Sequence, residues 1–417
     1  MSLGVFSEIG PLRRVLVHRP GHEIDWMVPS LMDRLLFDDI LHGEDARREH
    51  DVFTGVLAAA GAEVLEIQDL LADVLTSPEV LEEALGWLIE NASLTDEALA
   101  ELRAAEAPAL ADQLISGRLR HAVHGERLSD FYRLAPVPNY FFQRDPQVVF
   151  GSTVLVAAMA TEARRREAFL SRLVFEHHPQ LQADERIALD ADDRGARRAQ
   201  IEGGDLLVAS PEVLLIGVSE RTNRYAIDRL AQRLLRRDGG FRSIVVVEIP
   251  AKRSYMHLDT VFTFIDHGVC LAYPPVIEPD GSEAGDVYRI DLDAREVAYT
   301  LCDDLPSALA GLGLEIELVP CGGAHSLIDQ QREQWTDGAN AFAVAPGVIL
   351  LYRRNRRTAD VLDARGWRVV DGETLASGAE TIADGEKVVV TLPDNELSRA
   401  RGGPRCMTMP LEREPLA

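Results

Sequence analysis

The sequence predicts an α/β protein in which short strand–turn–strand–helix–strand units recur and close around a centre, with a helical segment inserted. Three observations predict this fold. Paired apolar strands recur four times along the chain, a partial fifth unit lies near the N-terminus, and one long stretch lacks β-branched runs. The 417 residues are 46% hydrophobic and 27% charged, as in globular proteins, and we expect residues 1–417 to form a single domain.

Each predicted unit begins with apolar strands and most continue into a helix. The partial unit near the N-terminus has a strand at 12–18, a helix at about 44–60 and a strand at 63–67. The strand pairs of the later units begin near Asp145, Gly204, Leu258 and Gly338. Predicted helices follow at 161–175, 223–237 and 358–365, and predicted closing strands at 244–249 and 367–370. Recurrence of this kind favours a pseudosymmetric α/β array.

Residues 70–133 interrupt the recurring pattern. They are rich in Ala, Leu and Glu, and Leu81, Ala84, Leu85 and Leu88 have helical spacing. Ser93-Leu-Thr-Asp-Glu is typical of a helix start, with acids in the first turn. We interpret this stretch as an all-helical insertion in the α/β body.

Charge and cysteine usage exclude several classes of function. The formal net charge is −25, with 68 acidic against 43 basic residues, which argues against a general nucleic-acid or anionic-membrane surface and tolerates a cationic substrate. We find neither an N-terminal signal pattern nor an apolar run long enough to span a bilayer. The scattered Cys270, Cys302, Cys321 and Cys406 indicate reduced thiols in the cytoplasm, not a disulfide framework or a zinc site.

One of these thiols has the sequence environment of a nucleophile. Cys406 follows a Gly-Gly-Pro turn, which lets the backbone lie close to a bound molecule. Arg401 and Arg405 flank it, and nearby positive charge lowers a thiol pKa and favours the thiolate. We therefore expect Cys406 to be reactive.

Polar residues stand where the predicted units begin: Asp145, Glu202, His257 and Asp259. If the units are radial, these side chains converge on Cys406 in a central cavity. Carboxylates can bind a planar cation through paired hydrogen bonds, and a histidine can protonate a leaving amine and activate water. The set therefore points to a guanidinium substrate attacked by a thiolate held within reach.

Each of these residues also has a structural interpretation. Asp145 after Arg144 is typical of a salt-bridged strand end, and Glu202 before Gly-Gly could be a turn acid. His257 and Asp259 alternate and would face one side of a strand, where a hydrogen-bonded structural histidine is the usual outcome. His-x-Asp could also bind a metal, but no second His or Cys has ligand spacing nearby. The placement of all four at equivalent positions favours function.

The chain resembles bacterial arginine deiminases, members of the guanidino-group-modifying (pentein) superfamily. Seven segments carry the resemblance: Val15-Leu-Val-His-Arg-Pro-Gly21, Leu35-Leu-Phe-Asp-Asp39, 139–145, Glu202-Gly-Gly-Asp205, Met256-His-Leu-Asp-Thr-Val-Phe262, Asp337-Gly-Ala-Asn340 and Arg401-Gly-Gly-Pro-Arg-Cys406. The resemblance implies a five-fold pseudosymmetric α/β-propeller. The predicted helical insertion is similar to the one that distinguishes arginine deiminases from shorter relatives.

The resemblance also implies roles for individual residues. The nucleophile falls on Cys406, the general acid and base on His257, its partner acid on Glu202, and the guanidinium-binding acids on Asp145 and Asp259. Contacts to the polar tail of the substrate fall on Arg164, Arg221, Arg401 and Asn139, and the apolar wall on Phe142. Because three arginines are consecutive here, the role given to Arg164 could belong to the adjacent arginine instead. We interpret Arg165 and Arg166 as a solvated helix face.

The implied activity is hydrolysis of free L-arginine to L-citrulline and ammonia through a covalent thiouronium intermediate. The resemblance implies no metal or organic cofactor and a homo-oligomer, either a dimer or a tetramer. An amidinotransferase and a non-catalytic binding protein on the same fold are the alternatives. Three residues, Gln143, Arg353 and Arg405, depart from the usual family pattern. These departures bear on fine substrate specificity and on the pH optimum, and not on the class of reaction.

Overall fold

The computed structural model describes residues 3–92, 94–120, 125, 127–189, 198–237 and 240–416. Ser93, named above as part of a helix start, lies outside these residues, as do 121–124 and 126 of the predicted insertion. Among the described helices, none is long and apolar enough to cross a membrane.

The strands of the described chain are, in order, β1 (Leu12–Val17), β2 (Glu63–Glu66), β3 (Arg118–Leu119), β4 (Tyr132–Leu134), β5 (Gln147–Phe150), β6 (Thr153–Val156), β7 (Glu185–Ala188), β8 (Leu206–Ser210), β9 (Val213–Val218), β10 (Ser243–Glu248), β11 (Phe262–Asp266), β12 (Val269–Ala272), β13 (Val287–Asp291), β14 (Tyr299–Cys302), β15 (Glu317–Pro320), β16 (Phe342–Ala345), β17 (Val348–Tyr352), β18 (Arg368–Asp371), β19 (Val388–Leu392) and β20 (Met409–Arg413).

The helices are α1 (His22–Asp25), α2 (Met32–Leu35), α3 (Gly43–Ala59), α4 (Ile67–Leu75), α5 (Pro78–Asn91), α6 (Asp96–Arg103), α7 (Ala107–Ser116), α8 (Leu128–Phe131), α9 (Arg165–His177), α10 (Arg224–Leu234), α11 (Pro274–Ile277), α12 (Leu305–Ala310), α13 (Leu327–Trp335), α14 (Arg356–Asp363) and α15 (Gly372–Ala376). The helices predicted near 44–60, 161–175, 223–237 and 358–365 are confirmed as α3, α9, α10 and α14.

The mixed sheets share one arrangement. Within the described chain, β1, β6, β9, β12 and β17 each pair with one antiparallel and one parallel neighbour. The parallel partner follows a helix in the chain, because a parallel connection needs a crossover. The middle strands are buried along nearly their whole length, as expected for strands covered on both faces.

The stretch predicted to be all-helical contains most of α4, all of α5, α6, α7 and α8, and also the short strand β3 and most of β4. The prediction that it is helical throughout is therefore wrong, because β3 and β4 pair with each other as an antiparallel ribbon. Ala84, Leu85 and Leu88 of α5 are buried and belong to the same core cluster as Leu170 and Phe175 of α9. The apolar stripe at helical spacing therefore packs against a helix that flanks the sheet β5–β6–β7.

Short turns before the strands carry the residues of interest. Asp145 lies just before β5, Glu202 just before a 3₁₀ turn that leads into β8, and Cys406 shortly before β20. The expectation that His257 and Asp259 share one side of a strand is wrong. They flank Leu258 in a 3₁₀ turn at Leu258–Thr260, because Asp205 accepts a 2.8 Å hydrogen bond from the Leu258 N–H and β11 begins only at Phe262.

Candidate active site

The backbone around Cys406 is held by an asparagine. Asn340 Oδ1 accepts the N–H groups of Arg405 at 3.1 Å and of Cys406 at 3.2 Å, and its Nδ2 donates to the Asp259 carbonyl at 3.0 Å. One amide side chain thus ties the thiol-bearing turn to the turn that carries Asp259. Sequence reasoning did not assign Asn340, although its position after Asp337-Gly-Ala, where a unit begins, is the signal that could have found it.

Gly402 allows this turn to lie against an aromatic ring. A Cβ at Gly402 would collide with the ring of Phe142, so a larger residue cannot occupy this position without displacing the ring. The Tyr352 hydroxyl donates to the Gly402 carbonyl at 2.8 Å and fixes the loop from the other side.

His257 is buried between two acids. Its Nε2 lies 2.9 Å from Glu202 Oε2, and its Nδ1 lies 3.7 Å from Asp145 Oδ1. Burial lowers the pKa of His257, but Asp145 and the hydrogen bond to Glu202 outweigh burial and raise this pKa to about 9. The imidazole is therefore held as its cation at neutral pH and can donate a proton.

Glu202 stays ionised although it is fully buried. Burial raises the pKa of its carboxyl, but Arg221 and His257 favour the carboxylate and bring the pKa down to about 2. Gly204 lets the imidazole lie close to the turn, because a Cβ there would be 2.6 Å from His257 Cγ. Glu202 is thus placed to orient the ring and to stabilise its charge.

The Cys406 thiol is protonated in this environment. Burial, and then the charges of Asp259, Asp145 and Asp337, raise the pKa of the thiol well above its ordinary value. Cys406 Sγ lies 3.9 Å from Asp259 Oδ2. The positive charge of the flanking arginines, which was expected to favour the thiolate, does not outweigh burial and these three carboxylates.

The Arg405 guanidinium is bound in a buried ion pair with two acids, Glu8 and Asp259. Its Nε donates to Glu8 Oε2 at 3.1 Å and its Nη1 to Asp259 Oδ2 at 2.8 Å. Burial raises the pKa of Glu8, but Arg405 and Arg144 bring it to about 2. Arg405 therefore neutralises Asp259 and joins the thiol-bearing turn to the N-terminal segment.

Asp145 and Asp259 each keep one oxygen without a hydrogen-bond partner. Arg164 donates to Asp145 Oδ2 at 2.8 Å, and Arg405 donates to Asp259 Oδ2. The Oδ1 atoms of both carboxylates are buried and accept no hydrogen bond from any described residue. A buried carboxylate oxygen without a donor is costly, and a cationic N–H donor would satisfy it.

One cavity is lined by eight of the ten implied site residues, and the other two lie directly behind its wall. The predicted residues that line it are Asn139, Phe142, Asp145, Arg164, Arg221, His257, Arg401 and Cys406, while Glu202 contacts His257 and Asp259 contacts Cys406 from behind. Leu36, Asp38, Arg253, Met256, Thr260 and Ala400 also line it and were not predicted. Arg253 donates to Asp38 at 2.8 and 2.9 Å, a pairing between distant segments that no local pattern signals.

The arginines of the cavity differ in their pairing. Arg164 is bound to Asp145 at 2.8 Å and to Glu167 at 2.8 Å. Arg221 and Arg401 are buried, and Nε and Nη1 of both donate no hydrogen bond within the described chain. The interpretation of Arg166 as a solvated residue is wrong: it is buried and its guanidinium donates to the Ala135 carbonyl, because this face of α9 packs inward.

Asp145, Glu202 and His257 could together supply three ligand atoms to a metal ion, since these atoms lie within 4.8 Å of one another. The surrounding charge disfavours this use. Arg164 and Arg221 each lie 3.7 Å from Glu202 Oε2, so two guanidinium groups already neutralise the acids and would repel a divalent ion.

Two solved amidinotransferases have a fold similar to that of this chain. The amidinotransferase SxtG of Microseira wollei has a TM-score of 0.55 at 15% identity and covers 99% of this chain and 98% of its own. The inosamine-phosphate amidinotransferase of Streptomyces griseus has a TM-score of 0.51 at 14% identity, covering 100% and 98%. At these identities the likeness establishes that this chain shares the mixed α/β fold of the two amidinotransferases, and nothing finer.

Sequence comparison identifies the family. The arginine deiminase of Clostridium perfringens (strain SM101 / Type A) is 36% identical over 443 residues, covering 100% of this chain and 99% of the relative. The arginine deiminase of Streptococcus agalactiae serotype V is 35% identical over 431 residues, covering 99% and 98%. The family model described as "Arginine deiminase" matches residues 33–413. Together with the thiol, imidazole and carboxylates gathered in the cavity, these matches show that the chain belongs to the arginine deiminase family.

Proposed function

We propose that this protein hydrolyses free L-arginine to L-citrulline and ammonia. The observation that carries the proposal is the pair of buried oxygens, Asp145 Oδ1 and Asp259 Oδ1, that lack hydrogen-bond donors beside the Cys406 thiol. A guanidinium ion supplies N–H donors and positive charge together, and both are what these two carboxylates need.

The proposed chemistry has two stages. When substrate binds, the Cys406 thiol releases its proton to solvent and the thiolate attacks the guanidinium carbon. A C–S bond forms, a C–N bond breaks, and ammonia leaves with a proton from the charged His257. Water, deprotonated by the now neutral His257, then attacks the thiouronium carbon, and the C–S bond breaks to release citrulline. Asp145 and Asp259 hold the guanidinium nitrogens, and Glu202 keeps the imidazole oriented.

The binding of substrate supplies the positive charge that would favour ionisation of the Cys406 thiol. The cation of arginine would offset the charges of Asp145 and Asp259, which, with burial, hold the pKa of Cys406 high. We therefore infer that Cys406 ionises chiefly when substrate is bound. In this way the enzyme would keep its thiol unreactive until a guanidinium occupies the site.

The polar tail of arginine would be bound at the other end of the cavity. Arg221 and Arg401 are the natural partners of the α-carboxylate, since both present buried donors without hydrogen bonds inside the described residues. Asn139 would contribute a polar contact and Phe142 an apolar wall. Arg164 would have to loosen its bonds to Asp145 and Glu167 to take part.

We further propose the finer organisation that the resemblance implies. The five mixed sheets would form a five-fold pseudosymmetric α/β-propeller, residues 1–417 a single catalytic domain, and residues 70–133 a helical insertion in it. The free state of all four cysteines supports a cytoplasmic location. We also propose that the protein assembles as a homodimer or homotetramer and that it binds neither nucleic acid nor membranes.

An assay of products with two substrates tests the activity. We expect stoichiometric citrulline and ammonia from L-arginine without an added amine. Agmatine, which lacks the α-carboxylate, should have a kcat/KM lower by at least about two orders of magnitude, since an unpaired buried arginine is left behind. A requirement for an acceptor amine would instead show an amidinotransferase, and faster turnover of agmatine would contradict the arginine assignment.

The ionisation of the thiol predicts how alkylation depends on pH. Because the pKa of free Cys406 is raised, its thiolate fraction should grow about tenfold per pH unit from pH 7 to pH 9. Inactivation by iodoacetamide, measured as the loss of citrulline formation, should follow the same slope. A rate that is already constant below pH 7 would show that the thiolate forms without substrate, although the nucleophile would stay the same.

A further inference from the structure

Arg401 is stacked on a tryptophan outside the predicted site. Its Cζ lies 3.3 Å from the centroid of the Trp335 ring. The Arg401 backbone is in the left-handed region with φ of 64°, immediately before Gly402, so the chain turns sharply where the guanidinium is placed. The stacking fixes the plane of the guanidinium, whereas a single hydrogen bond would fix only one of its nitrogens.

Two of the three nitrogens of this guanidinium have no hydrogen-bond acceptor among the described residues. Arg401 Nη2 donates to the Ser254 carbonyl at 3.5 Å, a long bond, while Nε and Nη1 are buried without a hydrogen bond to any residue in the described ranges. Arg401 lines the same cavity as Cys406. The cation is therefore oriented by an aromatic face while two of its nitrogens remain available to an acceptor.

Trp335 itself stands on a well-fixed helix end. Its neighbour Gln334 donates to the Ser254 carbonyl at 2.7 Å, and Thr336 and Asn355 exchange hydrogen bonds of 2.6 and 2.8 Å. Trp335 is 48% exposed, so core packing does not account for a large aromatic side chain at this position. Stacking on Arg401 does account for it.

We propose that Trp335 is a positioning residue that fixes the Arg401 guanidinium by stacking, so that its unbonded N–H groups receive the α-carboxylate of the substrate. The inference rests on the proposed function and adds to it a residue that sets affinity for the amino-acid tail. Trp335 acts through Arg401 and touches no reacting atom, so its loss changes binding of the tail and leaves the chemistry at the guanidinium carbon intact.

A double-mutant cycle with L-arginine as the substrate tests this role. Trp335→Leu should raise KM about tenfold while kcat stays within about twofold, and Trp335→Phe, which keeps an aromatic face, should recover most of the affinity. In an Arg401→Ala background, Trp335→Leu should change KM by less than about twofold, because the group through which it acts is gone. Ile328→Ala, an exposed apolar change on the same helix, is the matched control and should leave KM unchanged.

Two results would overturn the proposal: an unchanged KM in Trp335→Leu, or the same rise in KM whether or not Arg401 is present. Trp335→Gln, a polar replacement suited to a half-exposed position, takes the place of the leucine variant if that variant does not fold. Failure of the wild-type protein to form citrulline would contradict the proposed function, and this outcome is distinct from any result of the cycle.

Discussion

Replacement of Cys406 by serine is expected to lower citrulline formation by at least about three orders of magnitude. A serine hydroxyl is far less ionised than a thiol, and the carboxylates around this position disfavour any anion there. Among the described residues that line the cavity, Cys406 is the only cysteine, so no second thiol can take its place. Steady-state citrulline assays at saturating arginine measure the loss.

The structure supplies a matched control for this variant. Cys302 lies at the end of β14, is partly exposed, and is not among the residues that line the cavity, so Cys302→Ser should keep wild-type turnover. Both serine variants should unfold at nearly the wild-type temperature, since the change is of a single atom. Activity within about tenfold of wild type in Cys406→Ser would refute the nucleophile assignment.

Much of the fold was predictable because its signals are local. Alternating and continuous apolar runs mark β8, β9, β10 and β17, and the helical spacing of leucines marks α5. The convergence of Asp145, Glu202, His257 and Cys406 was predictable for a different reason. Residues at equivalent positions of repeated units occupy equivalent positions around the centre of the fold. A polar residue at the start of each unit, which means little alone, therefore indicates a shared site when it recurs.

The charge balance of the site was not predictable from neighbours in the chain. Arg405 is adjacent to Cys406, yet its guanidinium lies with Glu8, 397 positions away in the sequence. Orientation of a long side chain depends on which acids the fold brings to it. The raised pKa of the Cys406 thiol follows from burial and from three nearby carboxylates, and its direction is opposite to the one expected from two flanking arginines alone.

Arg166 and Trp335 show the same limit at helices. A run of three arginines resembles a solvated face, but the inward side of α9 buries Arg166. Trp335 ends a helix of mixed polarity and gives no sign in the sequence that it lies under Arg401. In both cases the tertiary partner, and not the helical pattern, decides the environment of the side chain.

Arg405→Met is expected to destabilise the folded protein by about 3–5 kcal/mol, because it leaves the buried carboxylates of Glu8 and Asp259 without their shared cation. Arg144 and Arg413 also act on Glu8 and will soften the loss. The matched control is Arg13→Met, which breaks the exposed ion pair with Glu414 and should cost at most about 1 kcal/mol. The shift in the midpoint of urea unfolding measures both.

The pH dependence of that loss separates charge from packing. The pKa of Glu8 is about 2 in the folded protein and ordinarily 4.5, so its carboxylate contributes stability that is fully present above pH 4.5 and lost as pH falls towards 2. The difference in unfolding free energy between wild type and Arg405→Met should therefore be large at pH 7 and smaller near pH 3, where wild type has lost part of this contribution. An equal difference at both pH values would mean that Arg405 stabilises the fold by filling space, and that the ion pair with Glu8 does not hold the thiol-bearing turn in place.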